Sequence, residues 1–160
     1  MNELMQAVSQ AETIAIGGHV RPDGDCIGSC MGLYSYIQDN FPGKKVTVYV
    51  EEIPSAFDYL SKEEAMTEQC GADQVYDLFV ALDCGDKERL GEAAGILEKA
   101  KATYCVDHHI TNTHFCQKEQ VEADASSTSQ ILYTLMEDEK ISYATACCLY
   151  TGIIHDTGVF

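Results

Sequence analysis

Apolar and polar positions follow two periods along this chain. Thr13 to Gly17, Val46 to Val50, Leu78 to Leu82 and Thr103 to Val106 are short runs dominated by β-branched, aromatic and aliphatic residues. Such runs, bounded by turn residues, read as strands buried in a sheet. Between them the apolar residues recur every three or four positions, the period of a helix with one inward face. Residues 2–11 carry Leu4, Met5 and Val8 on such a face, and residues 27–39 carry Ile27, Met31, Tyr34 and Ile37. Gly28 and Gly32 are expected to let this second helix approach the sheet closely, and Asn40-Phe41-Pro42-Gly43 to end it. A helical turn is expected near Ala56 to Leu60, while Glu63 to Cys70 fits either helix or loop. A helix from Asp86 to about Ala100 would turn Glu92, Glu98 and Lys99 outward. His114-Phe115-Cys116 reads as a short edge strand. Ser126-Ser127-Thr128 caps a helix carrying Ile131, Leu132 and Leu135, and its N-terminus could alternatively hold a phosphate. Residues 142–154 form a last helix, rich in Ala, Cys and Leu and expected to be buried.

Strands alternating with helices predict an α/β fold, with a mostly parallel sheet and helices on both faces. The 160 residues suffice for one domain with a real core. No internal repeat, linker or low-complexity run divides them. No apolar run reaches the ~20 residues of a membrane span, and Met1-Asn2-Glu3 does not open a signal peptide. The expected setting is cytoplasmic, without membrane contact.

Charge narrows the function. With 26 acidic against 10 basic residues the formal net charge is −16. That argues against binding long duplex nucleic acid through a basic surface. It leaves room for a small anionic substrate, because bound cations reverse the local field of a carboxylate site. The eight cysteines include no Cys-x-x-Cys pair. Cys105, Cys147 and Cys148 lie in apolar runs and read as small buried hydrophobes. Cys26 and Cys84, beside the polar candidates below, are also read as structural. No G-x-x-x-x-G-K-[ST] phosphate loop is present.

The candidate chemistry gathers where strands end. Gly17-Gly18-His19-Val20-Arg21-Pro22-Asp23-Gly24-Asp25 follows the first strand, Asp83 the third, and Asp107-His108-His109 the fourth, while Asp156 lies at the end of the last helix. A single Asp after a strand means little, since turns favour it, and the first loop alone could be a polar turn with Asp25 as helix N-cap. Parallel strands, however, align these ends on one edge, where open α/β sheets bind ligands. His19, Asp23, Asp25, Asp83, His108 and Asp156 would then converge. Their mixed oxygen and nitrogen donors suit Mn²⁺, with Mg²⁺ and Zn²⁺ as alternatives. They are too many for one ion and suit two sharing a carboxylate.

These motifs, in this order, resemble the DHH phosphoesterases. The resemblance is carried by His19 to Asp25 with Gly28-Ser29, Leu82-Asp83 with Arg89-Leu90-Gly91, Asp107-His108-His109, and His155-Asp156-Thr157-Gly158. It runs from about residue 10 to the last residue. Asp107 to Asn112 and Ala125 to Thr128 look most like the branch of bifunctional oligoribonucleases and 3′-phosphoadenosine 5′-phosphate phosphatases. The resemblance implies a Rossmann-like catalytic domain. It implies that His19, Asp23 and Asp83 hold one metal and that Asp25, Asp83, His108 and Asp156 hold the other. Asp83 would bridge, and His109 would face the substrate phosphate. The implied substrates are short oligoribonucleotides or the phosphorylated nucleotide, and a homodimer is an admissible assembly. A manganese-dependent inorganic pyrophosphatase and a cyclic-dinucleotide phosphodiesterase are the enzymatic alternatives. A metal-binding domain without turnover is the third.

The remaining candidates carry two readings each. Arg21 would meet a substrate phosphate or pair with an acidic neighbour. Asp107 is expected to position the histidines, and His155 either to orient a ligand or to pack in the core. His114 is read as a surface or sheet-edge histidine, and Glu137-Asp138-Glu139 as a solvated helix end. The family's C-terminal lobe, with its glycine-rich histidine motif, has no match in residues 1–160. The expectation is a truncated or isolated metal-binding domain with an open cleft. It would fold and bind Mn²⁺ but hydrolyse nucleotides far more slowly than a two-lobed relative.

Overall fold

The computed structural model describes residues 1–60, 66–67 and 74–157. Six parallel strands form one sheet: β1 (Thr13–Gly17), β2 (Lys45–Tyr49), β3 (Met66–Thr67), β4 (Leu78–Leu82), β5 (Ala102–Asp107) and β6 (Lys118–Val121). Their spatial order is β3-β2-β1-β4-β5-β6. The chain therefore builds outward from β1 in one direction, then returns to β4 and builds in the other. Connections leaving β1 and β4 diverge, and the crevice between them at the C-terminal edge is the place where such sheets bind ligands.

Side chains alternate across the pleat and divide the core in two. Ile14, Ile16, Val46, Val48, Leu78, Val80, Leu82 and Val106 face one layer, made by α1 (Glu3–Gln10), α2 (Gly24–Asn40), α4 (Thr128–Leu135) and α5 (Tyr143–Thr157). Ala15, Tyr49, Phe79, Ala81 and Cys105 face the other, covered by the 3₁₀ turn Lys87–Leu90 and α3 (Ala93–Lys99). Helices on both faces explain why the central strands are apolar throughout. Among the described residues no helix is long and apolar enough to cross a membrane. The seven described cysteines are free.

The structure changes several local expectations. α2 starts at Gly24, so Asp23 is its N-cap, accepting the Cys26 N–H at 2.9 Å, and Asp25 lies inside the first turn. Gly28 and Gly32 meet α5 instead of the sheet. A Cβ on Gly28 would lie 2.5 Å from the Cys148 carbonyl oxygen, and one on Gly32 2.9 Å from Leu149. α2 is consequently buried on all sides from Gly24 to Ile37, between the sheet and α5. The helix expected over 86–100 is broken, because Gly91 adopts φ +66° and ends the 3₁₀ turn before α3 begins. His114-Phe115-Cys116 is not a strand. His114 has φ +57°, and its N–H donates to Asn112 Oδ1, so the chain turns there. The edge strand follows at Lys118–Val121, where polar side chains hide it from hydropathy. α5 is not wholly buried, since Tyr143 and Tyr150 stand in solvent and Cys147 is only half-buried. The helix-or-loop expectation for Glu63 to Cys70 lies outside the described residues except at Met66–Thr67, and Gly158 also lies outside them.

Candidate metal centre

Asp83 stands where the crevice opens. It is the first residue after β4, buried, with its N–H donating to the Val106 carbonyl at 3.0 Å. Its φ of +56° is left-handed, a conformation that Asp tolerates better than most residues yet that still costs about 1–2 kcal/mol. The turn aims one carboxylate oxygen at each of two imidazoles. Oδ2 lies 3.5 Å from His19 Nε2, and Oδ1 lies 3.3 Å from His108 Nε2. His108 Nε2 also lies 3.6 Å from Asp25 Oδ2 and 3.1 Å from Asp156 Oδ2. One donor atom from each of Asp25, Asp83, His108 and Asp156 falls within 4.8 Å of the others. The spread is close to twice a ligand–metal distance of about 2.1–2.6 Å. A second group with the same spacing joins His19, Cys26 and Asp83, and a third joins Asp83, His108 and His109.

Elements from across the chain hold these groups. The Nδ1–H of His19 donates to the Val20 carbonyl at 2.8 Å, which leaves Nε2 turned toward Asp83. Asp25 is fully buried and receives three hydrogen bonds from the start of α4. Thr128 N–H donates to Oδ2 at 2.9 Å, while Ser129 N–H and Oγ–H donate to Oδ1 at 3.0 and 2.8 Å. Thr128 Oγ–H reaches Asp83 Oδ1 at 3.2 Å. Ser127 caps the helix as expected, accepting the Gln130 N–H. The anion at this helix N-terminus is therefore the chain's own Asp25, not a phosphate. Gly152 of α5 lets the cluster close, because a Cβ there would run into the Ser129 hydroxyl.

His109 is held differently. Its Nδ1 meets buried Asp107 Oδ1 at 2.6 Å, and Asn112 Nδ2–H donates to Asp107 Oδ2 at 2.8 Å. Asp107 thus positions this histidine, as expected, and leaves its ring 44% exposed at the mouth of the crevice. The ring centroids of His108 and His109 are 4.7 Å apart.

Other candidates stand further out. Asp23 is half exposed, with Oδ1 3.8 Å from His19 Nε2. Arg21 is not brought to the cluster. It adopts φ +53° and pairs with Glu52 at 3.3 Å on the surface, its side chain 86% exposed. His114 pairs with Glu119 at 2.8 Å in solvent. His155 packs edge-on against Phe57, with ring centroids 5.1 Å apart. Sequence reasoning missed the grip of Thr128 and Ser129 on Asp25. It also missed the role of Asn112, although Thr128 and Asn112 lie in the motifs that carry the resemblance.

The electrostatics express a demand for positive charge. Burial and the charge of Asp83 push the Asp25 carboxyl up to about 8, against the hydrogen bonds from Ser129 and Thr128. Burial would raise Asp83 too, but His108 and His19 outweigh it and hold that carboxyl well below its usual range. Burial likewise opposes charge on His19, yet Asp23 and Asp83 bring it up to about 11. Asp156, then Asp83, brings His108 up to about 10. Asp107 raises His109. Clustered carboxylates that draw protons onto buried imidazoles would equally be neutralised by divalent cations. The donor atoms, their spacing and this charge deficit fit such ions.

The chain is similar to several known proteins. A family model described as "DHH family, N-terminal domain" matches residues 13–153. The chain is 31% identical over 159 residues to a Streptococcus mutans protein named probable bifunctional oligoribonuclease and PAP phosphatase NrnA, covering 98% of this chain and 49% of that protein. It is 26% identical over 180 residues to the cyclic-di-AMP phosphodiesterase PdeA of Listeria monocytogenes, covering 98% of this chain and 26% of that one. A solved exopolyphosphatase-related protein from Bacteroides fragilis superposes with a TM-score of 0.84 at 27% identity, over 97% of this chain and 49% of that chain. The chain spans about half the length, or less, of these relatives.

Proposed function

The chain belongs to the DHH family, and from that premise we propose that its 160 residues supply the metal-binding, bond-breaking half of a phosphoesterase. Its substrates would be short oligoribonucleotides, 3′-phosphoadenosine 5′-phosphate, or both. The observation that carries the reading is Asp83, whose two carboxylate oxygens face two separate imidazoles, 3.5 and 3.3 Å away. A shared carboxylate of this kind fits a pair of ions. His19, Asp23 and Asp83 would hold one, and Asp25, Asp83, His108 and Asp156 the other. Mn²⁺ suits the oxygen and imidazole donors. When bound, such ions supply the charge that polarises a phosphoryl group and acidifies water.

The chain's own residues do the rest. The left-handed turn at Asp83 and the α4 N-terminus hold the carboxylates rigidly, so little reorganisation is needed as charge develops. His109 faces the mouth with Asp107 behind it. The Asp107 hydrogen bond raises its pKa and so favours the protonated ring, which can donate to a phosphate oxygen or to the leaving oxygen. Arg21 is the outermost group assigned a role, and reaching a phosphate requires it to leave Glu52. A reducing, cytoplasmic setting is part of the proposal and fits the free thiols around the site.

Mn²⁺ calorimetry combined with a substrate panel tests this. The panel holds a short oligoribonucleotide, 3′-phosphoadenosine 5′-phosphate, cyclic di-AMP and pyrophosphate. Mn²⁺ should bind, with metal-dependent hydrolysis of the first two. Preference for pyrophosphate or cyclic di-AMP would shift the assignment to those enzymes. Failure to bind Mn²⁺ would remove the metal reading altogether.

A further inference from the structure

Cys26 is a polar side chain beside His19 and Asp83 that the proposed reaction leaves unused. It lies in the first turn of α2 and is fully buried. Its Sγ belongs to the same group as a His19 ring nitrogen and an Asp83 carboxylate oxygen, with all donor atoms within 4.8 Å. It meets Cys30 one turn along the helix, and the His19 carbonyl oxygen is 3.9 Å away. At that distance the thiol donates a weak hydrogen bond to the carbonyl.

The two halves of the site therefore differ in kind. The Asp25, Asp83, His108 and Asp156 group offers only oxygen and imidazole nitrogen. The His19 group offers imidazole, carboxylate and sulfur. Hard ions accept the first set, whereas a thiolate selects borderline and soft ions. Zn²⁺ and Co²⁺ take Cys, His and Asp together.

We propose that Cys26 is a sulfur ligand in the His19–Asp83 pocket and makes that pocket selective for a thiophilic divalent ion such as Zn²⁺ or Co²⁺. The Asp25–His108–Asp156 pocket keeps a harder ion such as Mn²⁺. As the metal–sulfur bond forms, the S–H bond breaks and its proton passes to water; nothing is oxidised. Cys84 is not the donor, because among the described residues its Sγ joins none of the groups of converging donor atoms. The proposal rests on the reading that cations occupy this site.

Co²⁺ titration of the metal-free chain tests it by absorbance. Visible d–d bands report occupancy, and a near-ultraviolet sulfur-to-cobalt charge-transfer band reports a thiolate ligand. The chain should show both. Cys26→Ala and the closer isostere Cys26→Ser should lose the charge-transfer band and keep d–d bands, whereas Cys30→Ala and Cys84→Ala should keep both. Zn²⁺ affinity at one site should fall about 10–100-fold in the Cys26 variants, with Mn²⁺ affinity at the other unchanged. Occupancy without charge transfer in the unsubstituted chain overturns the proposal and leaves the metal centre standing. A charge-transfer band that survives both Cys26 variants also overturns it. Absence of Co²⁺ uptake removes the proposal and the metal centre together.

Discussion

At the scale of single residues, Asp83 carries two roles that substitution can separate. Its carboxylate faces both imidazoles, and its backbone sits at φ +56°. Asn keeps the tolerance for left-handed backbone but loses the charge, whereas Ala loses both. Asp83→Asn and Asp83→Ala should each abolish phosphoesterase turnover. In urea, Ala should be less stable than Asn by about 1–2 kcal/mol. Near-normal turnover in either variant would contradict a shared carboxylate. The adjacent histidines divide in the same way. His108 Nε2 lies among three carboxylates, while His109 Nδ1 pairs with buried Asp107 and its ring stays open to the crevice. Calorimetry should find weakened Mn²⁺ binding in His108→Ala. His109→Ala should bind Mn²⁺ normally and lose kcat. Equal losses of metal affinity would dissolve the distinction.

At the scale of elements, α4 supports the site without entering it. Its first turn places two N–H groups and a hydroxyl on Asp25. Such supporting contacts commonly govern metal affinity by 10–100-fold. Ser129→Ala should therefore weaken Mn²⁺ binding by about tenfold with an unchanged far-ultraviolet spectrum. Unaltered affinity would make the contact incidental. At the opposite edge of the sheet, Asp77 ties β1 to β4. It accepts the N–H groups of Glu12 and Thr13 at 2.9 and 3.3 Å, donates its own N–H to Thr13 Oγ1, and pairs with Lys101. The Glu12 and Thr13 hydrogen bonds, then Lys101, lower its carboxyl below the usual value. A lowered folded-state pKa stabilises the fold above the unfolded value of about 3.9, and the effect disappears as pH falls through the folded value. The melting temperature of Asp77→Asn should thus lie below that of the parent at pH 7, and the gap should narrow below about pH 4. A gap independent of pH would show that the charge contributes nothing.

At the scale of the whole molecule, charge and topology meet at one place. The chain carries a formal net charge of −16 and concentrates several carboxylates in the crevice between β1 and β4. Cations that bind only the folded state should stabilise it. At a free concentration of 100 times Kd the gain is about 2.7 kcal/mol per site. For a chain of this size, that corresponds to a rise in Tm of about 5–10 °C. Differential scanning calorimetry should show the rise with Mn²⁺ and its reversal by EDTA, and little of it in Asp83→Ala. A Tm indifferent to Mn²⁺ in the parent would count against the centre.

The amino-acid sequence alone determined the α/β class, four of the strands, and the identity and order of the residues that crowd the crevice. Burial along a strand leaves an unbroken apolar run, as at Leu78–Leu82, and such runs are legible without partners. Edge strand β6 was illegible because Lys118–Val121 is polar and pairs only through its backbone. The faces of α2 and α5 were decided by packing, since Gly28 records close approach but not what approaches. Asp25 shows the difference most clearly. Its position suggested a cap or a ligand, yet its three hydrogen bonds come from residues 103 and 104 positions away. Only the meeting of α4 with the start of α2 could assign them, because local periodicity carries no record of which distant donor a buried carboxylate will face.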